Sequence, residues 1–151
     1  MSKELWSYSE YDIANLKYGR ILLECLEGRD DFLLALNIDV TYINEHGEQT
    51  FTLQEGMHTD LASVPRLVWT IVPPHRRIKR AAVIHDGLYQ YRPMLTDKDG
   101  KLYRMTRSEA DTILAVACRQ EGMHIDDVNR VYQAVRIGGS RLWHSHDKDF
   151  V

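Results

Sequence analysis

Ionisable residues stand on the buried face of a predicted helix in the middle of the chain. Around Lys79–Tyr89 the apolar residues recur at the i, i+3, i+4 spacing of one helix face, and His85 lies within that stripe. Asp86 follows it directly, and Tyr89 is one turn further along the same face. An imidazole on a buried face needs a partner for each ring nitrogen, so other polar groups must converge on His85. The sequence therefore predicts a polar site inside a small core.

Asp111 is a candidate partner for this imidazole. It lies at the edge of the buried stripe of a second predicted helix, and buried acids are rare unless they are paired. A carboxylate that fixes the imidazole tautomer makes it a stronger base, so His85 could act on water while Asp111 orients it. Asp86 could then be a cation ligand. The alternative is a structural hydrogen-bond network in which His85, Asp111 and Tyr89 hold two helices together.

The segment His58–Pro65 is neither alternating nor helical, and it is a second source of polar groups. As a loop it would deliver Asp60, or the hydroxyl of Ser63, to His85. Alternatively, the two residues cap a helix, since Asp and Ser are favoured caps and proline suits a first turn. No Gly-x-Ser-x-Gly elbow surrounds Ser63.

Metal binding is a further candidate role for these residues. Nitrogen and oxygen ligands are available from His58, Asp60, His85 and Asp86, but their spacing matches neither a closed zinc site nor the twelve-residue calcium loop. A divalent cation such as calcium therefore stays a candidate cofactor, with Asp86 as its ligand.

The first part of the chain has the pattern of an antiparallel sheet. Between Phe32 and Tyr42 every second residue is apolar, which predicts a strand with one buried face. A turn around Gly47 and a second alternating segment complete a hairpin, and residues 21–26 predict a third strand. Residues 1–19 have weak periodicity and are interpreted as an ordered arm or a short helix.

Three helices are predicted after the strands. The first carries His85, the second begins with a capping box from Thr106 to Glu109, and the third ends at Gly138. Residues 92–104, between the first two helices, predict a turn or small hairpin. The fold class is α+β, with an N-terminal antiparallel hairpin or small sheet packed on three C-terminal helices. A single domain is expected, with an arm (1–19), a β-sheet (20–56), a motif loop (57–75), a helical part (76–142) and a tail (143–151).

The composition is that of an ordinary soluble globule. The 151 residues are 44% hydrophobic and 27% charged, and a net charge of −3 gives no reason to expect binding to nucleic acid. The N-terminus lacks the apolar segment of a signal peptide, and no apolar run is long enough to span a membrane. Cys25 and Cys118 cannot form a disulfide framework and are predicted to be buried thiols, so a cytoplasmic protein is expected.

Three motifs together resemble an uncharacterised family of small proteins encoded by tailed bacteriophages and prophages. They are T-D-L-A-S-V-P at 59–65, H-D-x-L-Y at 85–89 and R-S-E-A-D at 107–111, and the stretch from Tyr132 through Gly138-Gly139 to Trp143 fits the C-terminal end of that family. The resemblance implies a viral or prophage origin, and thus the cytoplasm of a host bacterium, with virion association as an alternative location. It implies no established activity.

The two predicted helices are also similar to the core of secreted phospholipases, bacterial ones included. In that family the histidine of a His-Asp-x-x-Tyr helix activates water, the adjacent aspartate binds calcium, and an aspartate on the next helix orients the histidine. The resemblance implies these roles for His85, Asp86 and Asp111. The chain lacks the flanking disulfides and the Gly-rich calcium loop of that family.

Two hypotheses about function follow. The first is a phage-encoded accessory protein that is a metal-assisted hydrolase, with a lipid or small-molecule ester or phosphoester as substrate. The second is a non-enzymatic phage protein that binds a host or virion protein, with the His/Asp network as a structural feature. In the second case exposed aromatic residues would be the contact candidates. These are Trp6, Tyr8, Tyr11 and Trp143.

Overall fold

The computed structural model describes residues 13–71 and 76–150. Its strands are β1 (Ala14–Tyr18), β2 (Leu23–Cys25), β3 (Phe32–Leu34), β4 (Ile38–Asn44), β5 (Gly47–Leu53), β6 (His58–Thr59), β7 (Met94–Thr96) and β8 (Leu102–Arg104). Its helices are α1 (Arg66–Ile71), α2 (Arg76–Tyr91), α3 (Arg107–Gln120), α4 (Ile125–Gly138) and α5 (Ser140–Ser145), followed by a 3-10 turn at Asp147–Phe150. The order of antiparallel sheets first and helices after is the predicted α+β class.

The predicted hairpin is present and forms two of the three strands of the first sheet. β4 and β5 pair along their whole length, and Gly47 adopts a φ of 116° at the turn, where a side chain would be strained. Val40 and Tyr42 face the core while Asp39 is exposed, as the alternation predicts. β1 pairs with β4 at one edge of this sheet, so the part of the expected arm that the structure describes contains a strand; residues 1–12 lie outside the described residues.

The alternating run from Phe32 to Tyr42 is divided between two sheets. β3 pairs with β2 and β6, whereas β4 pairs with β1 and β5. Leu36, which the pattern placed on the buried face, lies between the two strands and is 39% exposed. The predicted third strand, β2, therefore joins β3 rather than the hairpin. Alternation is a local signal and does not reveal which sheet a strand joins.

The helix boundaries follow local capping. Thr106 caps α3 by accepting a hydrogen bond from the Glu109 N–H at 3.2 Å. The Glu109 carboxylate does not complete the predicted capping box, because it accepts hydrogen bonds from Tyr42 Oη at 2.5 Å and Asn44 Nδ2 at 3.1 Å. The third predicted helix is expected to follow Asp126 or Asp127, but α4 begins at Ile125, since the His124 ring caps it by accepting a hydrogen bond from the Asp126 N–H.

α3 lies at the centre of the helical part, in contact with both α2 and α4. Residues 110–118 of α3 and 81–89 of α2 are buried without interruption, so both helices are covered on all sides along these stretches. Cys118 is buried in α3 as predicted. Cys25 is exposed, contrary to the prediction, because β2 is an edge strand.

The motif loop, where the pattern of residues 67–72 indicates a short helix or turn, and the expected polar tail both contain regular structure. The motif loop includes β6 and α1, and the expected polar tail includes α5 and the 3-10 turn. Trp143 is 7% exposed, with its ring 5.1 Å from that of Tyr89 and 3.9 Å from the Arg92 guanidinium carbon. The prediction that Trp143 is an exposed contact residue is therefore wrong, and the other three aromatic candidates lie outside the described residues.

Within the described ranges, no helix has both the length and the apolar character needed to cross a membrane.

Candidate functional site

Three polar side chains from separate segments meet in the core. The His85 ring on α2 lies with Nε2 2.7 Å from Asp111 Oδ1 on α3, and with Nδ1 3.0 Å from Ser63 Oγ in the loop before α1. His85 and Asp111 are 0% exposed and Ser63 is 1% exposed. The structure thus aligns a hydroxyl, an imidazole and a carboxylate in one buried Ser–His–Asp network.

Asp111 is the most heavily bonded member of this network. Its Oδ1 also accepts a hydrogen bond from Tyr89 Oη at 2.7 Å, and its Oδ2 lies 2.9 Å from a guanidinium nitrogen of Arg136 and 3.5 Å from one of Arg107. Burial by itself would raise the pKa of Asp111, but the hydrogen bonds from His85, Tyr89 and Arg136 hold that pKa below its usual value. Asp111 is therefore an ionised carboxylate in the core.

The ionised Asp111 determines the tautomer of His85. A carboxylate only accepts hydrogen bonds, so in the neutral form of the ring the proton is on Nε2, 2.7 Å from Asp111 Oδ1. Nδ1 then carries the lone pair, and it accepts the hydrogen bond from the Ser63 hydroxyl. The basic nitrogen of His85 therefore points at Ser63.

Tyr89 reaches Asp111 past the end of α4. A Cβ atom on Gly139 would overlap the Tyr89 hydroxyl and lie about as close to the Val135 carbonyl oxygen. The second glycine of the Gly138-Gly139 pair thus lets Tyr89 occupy its place in the network.

Asp86 makes a separate set of hydrogen bonds that does not include the His85 ring. It accepts hydrogen bonds from the Ser63 N–H at 3.3 Å and from Gln90 Nε2 at 3.1 Å, and the Thr59 hydroxyl also bonds to it. Burial raises the pKa of the Asp86 carboxyl, and the charge of nearby Asp60 raises it further. The hydrogen bonds lower this pKa but do not cancel the increase. Asp86 therefore ties the Ser63 loop to α2 from the opposite side.

A polar cleft of about 270 Å³ lies beside the network. His58 and Asp31 pair across it at 2.9 Å, and Asp60 accepts a hydrogen bond from the Ala62 N–H rather than reaching His85. Asp86 and Tyr89 belong to both the cleft and the network. The lining residues are Asp31, His58, Asp60, Ala62, Asp86, Tyr89, Gln90, Leu142 and His146.

The sequence-predicted site residues thus fall into two groups. The structure brings His85, Asp111, Tyr89 and Ser63 into one network. His58 and Asp60 line the cleft with Asp86.

The sequence analysis missed the two arginines at Asp111. Arg107 precedes Asp111 by four residues on α3, a spacing that predicts a pair on one helix face. Arg136 arrives from α4, and nothing local in the sequence indicates that it points toward Asp111.

Metal ligation at Asp86 has no preassembled partner set in the residues that the structure describes. Across 13–71 and 76–150, no three side chains of His, Cys, Asp or Glu gather closely enough to hold an ion. Asp86 as a cation ligand stays a prediction of the phospholipase resemblance.

The raised pKa of Asp86 predicts a pH-dependent effect of Asp86→Asn. A carboxyl whose pKa rises on folding favours the folded state while it is protonated, and that contribution is lost as the pH rises through the folded pKa. Asparagine does not titrate, so we expect the melting temperature of the variant to rise relative to wild type between about pH 4 and pH 8. Thermal unfolding across this range tests it, with exposed Asp30→Asn as control. A difference in melting temperature between Asp86→Asn and wild type that is the same at every pH would contradict the prediction.

The fold and this network define a small α+β protein with a buried Ser–His–Asp network beside an acidic cleft. Residues 34–135 match a family model described as "Protein of unknown function (DUF1353)", and the chain belongs to this family. Ser63, His85 and Asp111 all lie inside the matched range. No curated protein and no solved structure matches the chain.

Proposed function

We propose that this protein is a hydrolase of ester or phosphoester bonds in which His85 is the general base. The observation that carries the proposal is the geometry of the His85 ring, with Nε2 2.7 Å from an ionised Asp111 and Nδ1 3.0 Å from a hydroxyl. Asp111 is a positioning residue that fixes the tautomer and stabilises the imidazolium formed when Nδ1 takes a proton.

The cleft supplies the place for a substrate. Tyr89 lines the cleft and donates a hydrogen bond to Asp111, and Asp86 lines the cleft and accepts one from the Ser63 N–H. A molecule in the cleft is therefore separated from the His85 ring by one layer of residues. Ala62 lines the cleft directly before Ser63. A small shift of this loop therefore brings a bound ester to the base, and such tightening on substrate binding is common for catalytic groups.

The first experiment measures hydrolysis of 4-nitrophenyl acetate, 4-nitrophenyl butyrate and bis(4-nitrophenyl) phosphate by the purified protein. His85→Gln is expected to lower the rate by about 100-fold or more, the usual contribution of a general base. Exposed His144→Gln on α5 is the matched control and should retain the wild-type rate. If wild type hydrolyses none of these substrates, or if His85→Gln keeps the full rate, the proposal is overturned.

A cation at Asp86 is a separate part of the proposal and rests on the resemblance to phospholipases. The same assay is run with calcium and with EDTA for wild type and Asp86→Asn. A calcium-dependent increase in rate that the variant loses supports the cation; equal rates with calcium and EDTA in wild type argue against it.

The second candidate function is a non-enzymatic protein that binds a host or virion protein. The observation that favours it is the complete burial of His85 with both ring nitrogens bonded, as in a purely structural network. A His85→Gln variant that melts at a lower temperature, together with a wild type inactive on all esters, would support this alternative.

For both candidates we propose a phage or prophage origin, on the strength of the three sequence motifs; finding the gene among phage structural genes in a genome would test it.

A further inference from the structure

We propose that Ser63 is the nucleophile of this hydrolase, so that a carboxylic ester reacts through an acyl-Ser63 intermediate. The inference rests on the proposed function, because it needs His85 as the base. It goes further in assigning the covalent step to a side chain rather than to water, and in selecting carboxylic esters as the substrate class.

The contact between Ser63 and His85 decides between the two nucleophiles. The Ser63 Oγ lies 3.0 Å from Nδ1, the nitrogen that carries the lone pair, and a direct contact of this length leaves no space for a water molecule between them. The first hydroxyl that His85 can deprotonate is therefore that of Ser63. A nucleophile bonded to a base that is oriented by a third group is the recurring arrangement of covalent hydrolases.

The Ser63 loop has a backbone suited to a change of position. Leu61 has a φ of 63°, in the left-handed region that non-glycine residues rarely adopt. The Asp86 carboxylate accepts from the Ser63 N–H and ties the loop to α2, whereas Asp60 accepts from the Ala62 N–H within the loop. Because Ser63 is 1% exposed, an ester in the cleft reaches its hydroxyl only when the loop residues that line the cleft, Asp60 and Ala62, move aside.

The reaction balances with an ester and water as its only reactants. Ser63 Oγ attacks the carbonyl carbon while its proton passes to His85 Nδ1, and the carbonyl π electrons move onto oxygen. The oxyanion collapses and breaks the bond to the alcohol oxygen, which leaves with the proton from Nδ1. Water then attacks acyl-Ser63 and gives a proton to His85, and the acid leaves as Ser63 recovers its proton.

The test uses a fluorophosphonate probe together with the turnover of 4-nitrophenyl acetate. A serine alkoxide displaces fluoride from the probe, so we expect one probe per wild-type chain, located on Ser63 by mass spectrometry of peptides. His85→Gln should abolish labelling, and Ser63→Ala should lower turnover by about 100-fold or more. Ser108→Ala, a change at an exposed serine of α3, is the matched control and should be labelled like wild type.

The outcomes separate this inference from the proposed function. Turnover that is lost in His85→Gln but retained in Ser63→Ala, with no probe on Ser63, overturns the nucleophile and leaves the hydrolase. A wild type that hydrolyses only bis(4-nitrophenyl) phosphate and does not react with the probe overturns the nucleophile alone, and a wild type that hydrolyses none of the three substrates overturns both. Mapping of the label on wild type needs no variant, so the inference stays testable even if Ser63→Ala does not fold.

Discussion

Replacing Asp111 with alanine is expected to lower the free energy of unfolding by about 3–5 kcal/mol, the usual result of removing one partner from a buried ion pair. The substitution leaves the guanidinium of Arg136 without its carboxylate and removes the acceptor of both Tyr89 Oη and His85 Nε2. All these donors lie in or at the edge of the core, where an unpaired polar group is costly.

Thermal and urea unfolding of Asp111→Ala measure this loss, which for a chain of this size corresponds to a melting temperature lower by roughly 10 °C. Exposed Asp30→Ala is the control and should change the melting temperature little.

Because folding lowers the pKa of Asp111, its ionisation stabilises the fold above the ordinary aspartate range, and that contribution is lost as the pH falls through the folded pKa. The difference in melting temperature between wild type and Asp111→Ala should therefore become smaller at acidic pH. A variant as stable as wild type at neutral pH would show that the ion pairs contribute nothing.

Replacing Arg92 with alanine is expected to release the C-terminal segment from the helical part, at a cost of about 2–4 kcal/mol. The Arg92 guanidinium lies between the rings of Trp143 and Phe150, 3.9 Å and 4.7 Å from their centroids. It also donates to the Trp143 carbonyl oxygen and pairs with Asp147 at 2.9 Å. One buried cation therefore connects the end of α2 to both α5 and the 3-10 turn.

Amide hydrogen exchange measures this release residue by residue. In wild type the amides of Trp143, His146 and Asp149 are bonded within the segment, and in Arg92→Ala we expect them to exchange at least about tenfold faster. Amides in the middle of α3 should be much less affected. Arg141→Ala, at an exposed position of α5, is the matched control. Unchanged exchange in residues 140–150 would mean that other contacts hold the segment.

The stability of variants separates structural from chemical roles at Asp86 more clearly than at Asp111. Asp111 bridges two arginines, so its loss destabilises the protein whether or not the network is catalytic. Asp86 accepts its hydrogen bonds from neutral groups, and burial disfavours its charged form. A carboxylate kept where it costs stability at neutral pH is more typical of a functional site than of a structural one.

The sequence by itself determined the features that depend on local periodicity and capping. The hairpin of β4 and β5, the start of α3 at Thr106 and the end of α4 at Gly138 are all present where the pattern predicts them. Helical spacing also predicted that His85 would lie on a buried face. These features follow from interactions within a few residues, which a sequence pattern records.

Only the tertiary structure decided how these elements meet. Ser63 lies 22 residues before His85, and Arg136 lies 25 residues after Asp111, so no periodicity predicts either contact. The division of the run from Phe32 to Tyr42 between two sheets, and the burial of Trp143 against Tyr89, are equally nonlocal. Each is determined by which surfaces fit together and which buried charges need partners once the chain is folded. The sequence therefore identified the histidine, its aspartate and two loop candidates, Asp60 and Ser63, and the folded chain placed the Ser63 hydroxyl rather than Asp60 on the imidazole.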